Sequence, residues 1–253
     1  MDLKSSLHQR LTSPITDFAH LGETIQTPDG QLTHIDNGSN VLAVAHLDWV
    51  SYAPPCYTHD GIFRCPQLDD RLGAWIILDL LPHLGIVTDI LLTDSEEVGR
   101  STAQYFQTSK QYNWMFEVDR RGTDAVTYQY ADAALEDRLI ACGWEIGNGS
   151  FSDISYLEHL GCRGINFGAG YHREHTPHCY ALWSDIKANV SKIVQFYREY
   201  ADTPMPYADE EPLGWTFDDE EVICLCGCVV DTFLDDYCPG CGMDLDILIQ
   251  EFY

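Results

Sequence analysis

The amino-acid sequence predicts an α/β protein, a three-layer αβα sandwich with a mostly parallel central sheet, followed by a small cysteine-rich module. Two observations support this prediction. Between about residues 30 and 200, short apolar runs alternate with stretches of helical apolar spacing, which is typical of a parallel sheet covered on both faces. Five of the ten cysteines fall within residues 224–241, and clustered cysteines in a chain without an export signal favour metal binding over disulfides.

Four apolar runs predict the strands of the sheet, and the segments between them predict its helices. The strands are Val41–Ala45, Ile90–Thr93, Trp114–Val118 and Gly164–Phe167. The helices are Leu72–Leu81, a helix through Ala103 and Phe106, Ala133–Cys142, a short helix after Ser152-Asp153, and residues 184–200. Strand and helix therefore alternate along this part of the chain.

Composition divides the chain into three predicted parts. Residues 1–201 form the α/β domain. Residues 202–221 contain three prolines and a run of acidic residues, which predicts a linker. Residues 222–253 hold the clustered cysteines and form the small module.

The charge of the chain excludes several classes of partner. Fourteen Lys and Arg residues stand against 40 Asp and Glu residues, which gives a net charge of −26. A field of this sign repels phosphate backbones and anionic lipids, so we expect neither nucleic-acid nor membrane binding. The N-terminal residues lack the apolar run of a signal peptide, and no stretch is long and apolar enough to cross a bilayer. We therefore expect a cytoplasmic protein with reduced thiols.

Side chains that bind metals follow each predicted strand. His46 and Asp48 come after the first strand, Glu96 and Glu97 after the second, and Asp119 after the third. A loop of histidines follows the fourth strand and two aspartates precede the first helix: His172, His175, His178, Asp69 and Asp70. Because ligands gather beyond the carboxyl ends of parallel strands, we expect these groups to converge. Two imidazoles with several carboxylates suit zinc, cobalt or manganese.

Five short motifs in this order resemble a known family. AHLD, LDDRLG, SEEVG, EVDRRG and YHREHTP are similar to the metal-site signatures of the co-catalytic two-zinc exopeptidases, which include leucyl and glutamyl aminopeptidases and peptidase T. The resemblance covers about residues 30–200. The intervals from His46 to Asp69 and from Asp119 to His175 are too short for the inserted or lid domains of some relatives. The resemblance therefore implies a compact, lidless catalytic domain.

The resemblance implies a site for two divalent metals, with zinc the first expectation and cobalt or manganese the alternatives. Its five protein ligands would be His46, Asp69, Glu97, Asp119 and His175. Asp69 would bridge the two ions, while Asp70 would cap the following helix. His175 matches the last ligand because it begins the HTP sequence, and His172 is the alternative.

The same resemblance implies amide hydrolysis. Glu96 would act as the general base on a metal-bridging water, and Asp48 would orient His46. The expected substrate is a peptide, cleaved by an aminopeptidase, or alternatively an N-acyl amino acid or small amide, cleaved by a deacylase. A third hypothesis is a non-catalytic binding or assembly protein that works through its C-terminal module. The sequence does not determine the oligomeric state, and a homo-oligomer is one of the alternatives.

The C-terminal cysteines have the spacing of a zinc ribbon. We expect one structural zinc ion bound by Cys224, Cys226, Cys238 and Cys241. Cys228 is an alternative to either of the first two. A closed site of four thiolates contributes folding free energy to a segment that is too small for a hydrophobic core.

Overall fold

The computed structural model describes residues 3–57 and 61–208, together with the backbone of residues 221–223 and 229–231. The chain divides into two units, Met1–Ala208 and Asp209–Tyr253. The α-helices described in the first unit are α1 (Leu3–Thr12), α2 (Leu68–Trp75), α3 (Leu81–His83), α4 (Ala133–Ala141) and α5 (Trp183–Tyr200). A π-helical segment, Ile76–Leu80, joins α2 to α3. Short 3₁₀ helices cover Ile15–Leu21, Glu96–Val98, Thr102–Tyr105, Tyr128–Tyr130, Asp153–Tyr156 and Glu158–Leu160.

The strands described in the first unit belong to two sheets. They are β1 (Glu23–Thr27), β2 (Gly30–Ile35), β3 (Val41–His46), β4 (Cys56–Tyr57), β5 (Ile62–Arg64), β6 (Asp89–Thr93), β7 (Trp114–Arg120), β8 (Ala125–Val126), β9 (Gly164–Gly168), β10 (Tyr171–His172) and β11 (Tyr180–Leu182). The larger sheet has the order β1-β2-β6-β3-β7-β9-β8, and the smaller has the order β10-β11-β5-β4.

The four predicted strands are confirmed as the centre of the larger sheet. β6, β3, β7 and β9 pair in parallel, so their carboxyl ends lie along one edge. The flanking strands β1, β2 and β8 pair antiparallel. All six residues of β3 are buried, because both faces of the central strands are covered. This burial on both sides explains why these strands are unbroken apolar runs in the sequence.

The sheet lies between two layers, as predicted. One face packs against α1, α2, α4 and α5 through a core that includes Leu7, Leu72, Trp114, Phe116, Leu139, Phe167 and Phe196. On the other face, apolar residues of β3 and β7 pack against short 3₁₀ helices through Leu42, Val44, Ala103, Phe106, Met115, Ile154 and Leu157. The α-helices are therefore concentrated on one side of the sheet.

The predicted helix through Ala103 and Phe106 is wrong. Two 3₁₀ turns, Glu96–Val98 and Thr102–Tyr105, take its place. Ser95 and Gly99 both have left-handed backbone conformations, with φ of 64° and 67°, and these end the first turn on both sides. Ser101 begins the second turn, because its hydroxyl accepts the Ala103 N–H.

Residues 202–208 of the predicted linker belong to the first unit, where Met205 is buried and its N–H donates to the Asn113 carbonyl. In the second unit β12 (Glu221–Ile223) pairs antiparallel with β13 (Val229–Asp231). The four predicted ribbon ligands and Cys228 lie outside the described residues, so the zinc ribbon and the domain division stay predictions. Among the helices that the structure describes, none has the length and apolar content to cross a membrane.

Candidate metal centre

Three sequence-distant segments meet at the carboxyl edge of the larger sheet. His46 is the last residue of β3 and is 1% exposed. Its Nε2 lies 3.2 Å from Asp69 Oδ1 and 3.6 Å from Asp119 Oδ1. Asp119 lies near the end of β7. One atom from each of these residues lies within 4.8 Å of the others, which is the spacing of a group that can hold a metal ion.

A second group of donors shares Asp69 with the first. His175 Nε2 lies 3.0 Å from Asp69 Oδ2 and 3.1 Å from Glu97 Oε2. Asp69, Glu97 and His175 also offer one ligand atom each within 4.8 Å of one another. Asp69 therefore turns one oxygen to each group, and the structure brings all five predicted catalytic-metal ligands together.

The start of α2 explains the LDDRLG motif. The Asp70 carboxylate accepts the Gly73 N–H at 3.1 Å, as an N-terminal helix cap does, while Asp69 points into the site. A Cβ atom on Gly73 would lie 2.1 Å from Asp70 Oδ1 and 2.5 Å from the Val118 carbonyl oxygen. Glycine is therefore the residue that lets α2 approach β7 this closely.

Asp48 holds two parts of the site at once. Its Oδ1 lies 3.3 Å from His46 Nδ1, and its two oxygens accept the backbone N–H groups of Glu96 and Glu97. Burial opposes the charge of Asp48, but the contact with His46 and the two amides outweigh it and lower its pKa. Asp48 thus lies against the His46 ring and holds the turn that carries both glutamates.

Glu96 faces the same space but belongs to neither donor group. Its Oε2 lies 4.0 Å from His46 Nε2. Burial, together with the nearby carboxylates of Asp153, Asp69 and Asp48, raises the pKa of Glu96 to about 7. The geometry suits a group that exchanges a proton beside the metal ligands.

Asp119 is positioned by two residues that the sequence did not assign. The Tyr171 phenol lies 2.6 Å from the Asp119 carbonyl oxygen and 3.0 Å from its Oδ1, and donates to this residue. Asn166 Oδ1 accepts the Asp119 N–H at 3.0 Å. A buried asparagine inside the apolar run of β9 was the one sequence signal for this contact.

A buried arginine holds the loop between His46 and Asp48. Arg71 Nε donates to the Leu47 carbonyl at 2.7 Å, and its guanidinium lies 4.4 Å from the centre of the Trp49 ring. Burial lowers the pKa of Arg71 to about 9. This contact gives a structural reason for the arginine of LDDRLG.

The two candidate histidines for the last ligand occupy different surroundings. His172 Nε2 lies 3.1 Å from Asp185 Oδ2 and takes no part in either donor group. His175 is 57% exposed on its side chain and contacts Asp69 and Glu97. The hydrogen bond with Asp69 raises the pKa of His175 to about 9.

We predict that His175→Ala lowers the metal content of the catalytic site far more than His172→Ala, because His175 alone of the two faces two other donors. Elemental analysis after dialysis against zinc measures this difference. The matched variant His172→Ala tests whether loss of any imidazole in this loop has the same effect. Equal metal loss in both variants contradicts the assignment.

The donor set fits a pair of divalent metal ions. Burial and the neighbouring Asp69 carboxylate raise the pKa of Asp119 well above its usual value, and burial with Asp69 raises the pKa of Glu97 to about 7. These carboxylates repel one another, and divalent cations between them would offset that repulsion. Nitrogen and oxygen donors in two groups of three suit zinc, cobalt or manganese.

A cavity of about 400 Å³ opens onto the donors. Its lining includes Asp69, Glu96, Asp119, Tyr128, Phe151, Asn166 and His175. Two arginines also line it, but both are paired with acids. Arg120 makes two hydrogen bonds to Asp124, and Arg121 makes one to Glu174.

No family model and no curated protein sequence matches this chain. Solved structures do match it. A tripeptidase from Staphylococcus aureus has a TM-score of 0.60 at 10% identity, over 79% of this chain and 98% of its own. Aminopeptidase PepT from Bacillus cereus has a TM-score of 0.55 at 10% identity, over 78% of this chain and 96% of its own. The chain has the fold of these peptidases.

A third match is a TET1 assembly from Pyrococcus horikoshii, solved as a dodecamer, with a TM-score of 0.52 at 12% identity over 76% of this chain and 98% of its own. These matches confirm the predicted α/β fold of the first unit. At these identities the comparison concerns the fold, and the site must be argued from this chain's own residues.

Proposed function

We propose that the protein is a metal-dependent peptidase, above all an aminopeptidase. The observation that carries the proposal is Asp69, whose two oxygens serve two groups of metal donors while Glu96 faces the same cavity. The tripeptidase and the aminopeptidase PepT that share the fold support peptides as the substrate class. The dodecameric TET1 assembly supports a homo-oligomer as a further part of the proposal.

The residues that would hold two divalent ions are His46 and Asp119 on one side, Glu97 and His175 on the other, and Asp69 between them. When bound, such ions polarise the scissile carbonyl and lower the pKa of water so that a nucleophile is available at neutral pH.

The chain's own residues supply the proton transfer and the alignment. Glu96 accepts a proton from the attacking water and delivers it to the leaving amine nitrogen. Asp48 holds the amides of residues 96 and 97 and orients the His46 ring, so the base and the first imidazole keep a fixed separation. Tyr171 and Asn166 hold Asp119 through hydrogen bonds to its carboxylate and its backbone N–H.

The substrate class is tested with paired peptides on one zinc-loaded preparation. A free-amine tripeptide and its N-acetylated form differ in the group that separates an aminopeptidase from a deacylase. We expect release of the N-terminal residue from the free-amine peptide only. Cleavage of the N-acetylated form alone would support the deacylase hypothesis, and binding of two metals without cleavage of either would favour a non-catalytic role through the predicted ribbon.

We propose further that Cys224, Cys226, Cys238 and Cys241 bind one structural zinc ion. About 20 residues with few large apolar side chains cannot offset their ordering entropy without a metal. Full-length protein should then contain three zinc ions and a chain truncated after Ala208 two, with unchanged hydrolysis of small peptides. Elemental analysis and kinetics on both chains measure this. If truncation abolishes hydrolysis while the fold persists, the expectation that the α/β domain cleaves small peptides without the C-terminal module is wrong.

A further inference from the structure

The cavity over the metal donors contains a phenol that the mechanism above does not use. Tyr128 follows β8 and lines the cavity together with Asp69, Glu96 and Asp119. Its backbone has φ of 46°, in the left-handed region that aromatic residues seldom adopt. Such conformations cluster at functional sites, where the surrounding structure holds them.

Two neighbours fix the position of the Tyr128 side chain. Asn166 Nδ2 donates to the phenol oxygen at 3.0 Å, while the other end of the same amide accepts the Asp119 N–H. A Cβ atom on Gly149 would lie 2.8 Å from Tyr128 Cε1, so the glycine leaves room for the ring. The phenol is therefore connected through Asn166 to one of the metal donors, and its ring is held from the side.

The phenol has a hydrogen to donate into the cavity. Burial and the carboxylates of Glu117 and Asp119 raise the pKa of Tyr128, and they outweigh the opposing effect of Asn166 and the nearby Ser152 hydroxyl. Tyr128 thus keeps its proton at neutral pH. The Asn166 amide donates to the phenol oxygen, and the Ser152 hydroxyl is a second hydrogen-bond partner of the phenol. The O–H hydrogen of Tyr128 can therefore be donated either to Ser152 or to an acceptor in the cavity.

The other strong donors that line the cavity are already engaged. Arg120 and Arg121 are bonded to Asp124 and Glu174, and the Tyr171 phenol donates to Asp119. Asn148 and Ser150 also line the cavity. Among its arginine and tyrosine donors, Tyr128 is therefore the one that is not bonded to a carboxylate and can meet a substrate carbonyl.

We propose that Tyr128 is a catalytic residue that donates a hydrogen bond to the carbonyl oxygen of the scissile amide; this rests on the proposed amide hydrolysis. When water adds to the carbonyl carbon, the electron pair of the C=O π bond moves onto the oxygen. Tyr128 keeps its proton and stabilises that negative charge through the hydrogen bond. A donor placed in this way acts more strongly on the tetrahedral state than on the substrate.

The test is Tyr128→Phe in the full-length, zinc-loaded protein. Loss of one such donor lowers kcat by about 10²–10³-fold, whereas KM should change little. The number of bound zinc ions should stay at the wild-type value, because Tyr128 is not a ligand. Tyr197→Phe is the matched control: this phenol donates to the Val87 carbonyl on the far side of the fold, and its loss should leave kcat unchanged.

A binding experiment separates this role from a merely structural one. A phosphinate peptide mimics the tetrahedral state, and the free amino acid product mimics the ground state. Tyr128→Phe should weaken phosphinate binding at least tenfold, measured by calorimetry, and leave product binding unchanged. Equal weakening of both ligands, a loss of zinc, or a kcat within twofold of wild type overturns the proposal. If wild-type protein cleaves no amide, the proposed function fails, and the phosphinate comparison still decides whether Tyr128 binds a tetrahedral oxyanion.

Discussion

Replacing Glu96 with glutamine should leave both metal sites filled and lower kcat for peptide hydrolysis by about 10²–10⁴-fold. Glu96 belongs to neither donor group, yet it faces the same cavity, with Oε2 at 4.0 Å from His46 Nε2. Glutamine keeps the shape of the side chain but has no basic oxygen to accept the proton of water. Elemental analysis and initial rates on one preparation measure the two effects together.

Glu97→Gln is the control for this experiment, because the adjacent glutamate lies 3.1 Å from His175 Nε2 in the second donor group. That variant should lose metal, and its activity should recover in part when zinc is added in excess. Glu96→Gln should therefore change the rate but not the metal content, whereas Glu97→Gln should change the metal content. A Glu96→Gln variant that cleaves peptides at the wild-type rate, or that loses zinc as Glu97→Gln does, would show that the base is another group.

The strands could be predicted from the sequence where both of their faces are buried. The central strands lie between two layers, so their sequences are unbroken apolar runs, and Val41–Ala45 is the clearest of them. The strands β1 and β2 were not predicted, since their exposed and buried residues give no continuous apolar run. The prediction of a helix through Ala103 was wrong because Ser95 and Gly99 have left-handed backbone conformations that interrupt it. Of these two residues, only the glycine is a turn signal in the sequence.

The candidate site could be predicted to the extent that its residues follow strand ends. His46 and Asp119 stand at the ends of parallel neighbours, so a topological rule brings them together. Tyr171, Asn166 and Tyr128 could not be found in this way. Their contacts depend on the register of β7 with β9 and on loop conformations, which local sequence does not encode.

Replacing Asp69 with asparagine should remove both catalytic metals at once, the largest effect expected from a single ligand. Asp69 is the residue common to both donor groups, with Oδ1 facing His46 and Oδ2 facing His175. Asparagine offers one neutral oxygen, and its NH₂ group must then face the other imidazole. Neither ion keeps its shared carboxylate, and zinc content should fall by two ions per chain.

Loss of the catalytic zinc ions in Asp69→Asn should also remove the stability that zinc gives to the folded protein. A ligand that binds only the folded state at 100 times its dissociation constant adds about 2.7 kcal/mol to the free energy of unfolding. Wild-type protein should therefore gain thermal stability from zinc at the catalytic site, and Asp69→Asn should not. Comparing chains truncated after Ala208, with zinc and with a chelator, removes the contribution of the predicted ribbon.

Asp119→Asn separates a shared ligand from a ligand of one ion. Asp119 belongs only to the His46 group, so this variant should retain about one zinc ion and roughly half of the zinc-dependent gain in stability. Far-UV circular dichroism of each metal-free variant checks that the fold is intact. Neutralising a carboxylate that is shared by two metal ions should weaken the binding of both ions. If Asp69→Asn also retains one zinc ion, Asp69 is therefore a ligand of a single metal and the proposed shared role is wrong.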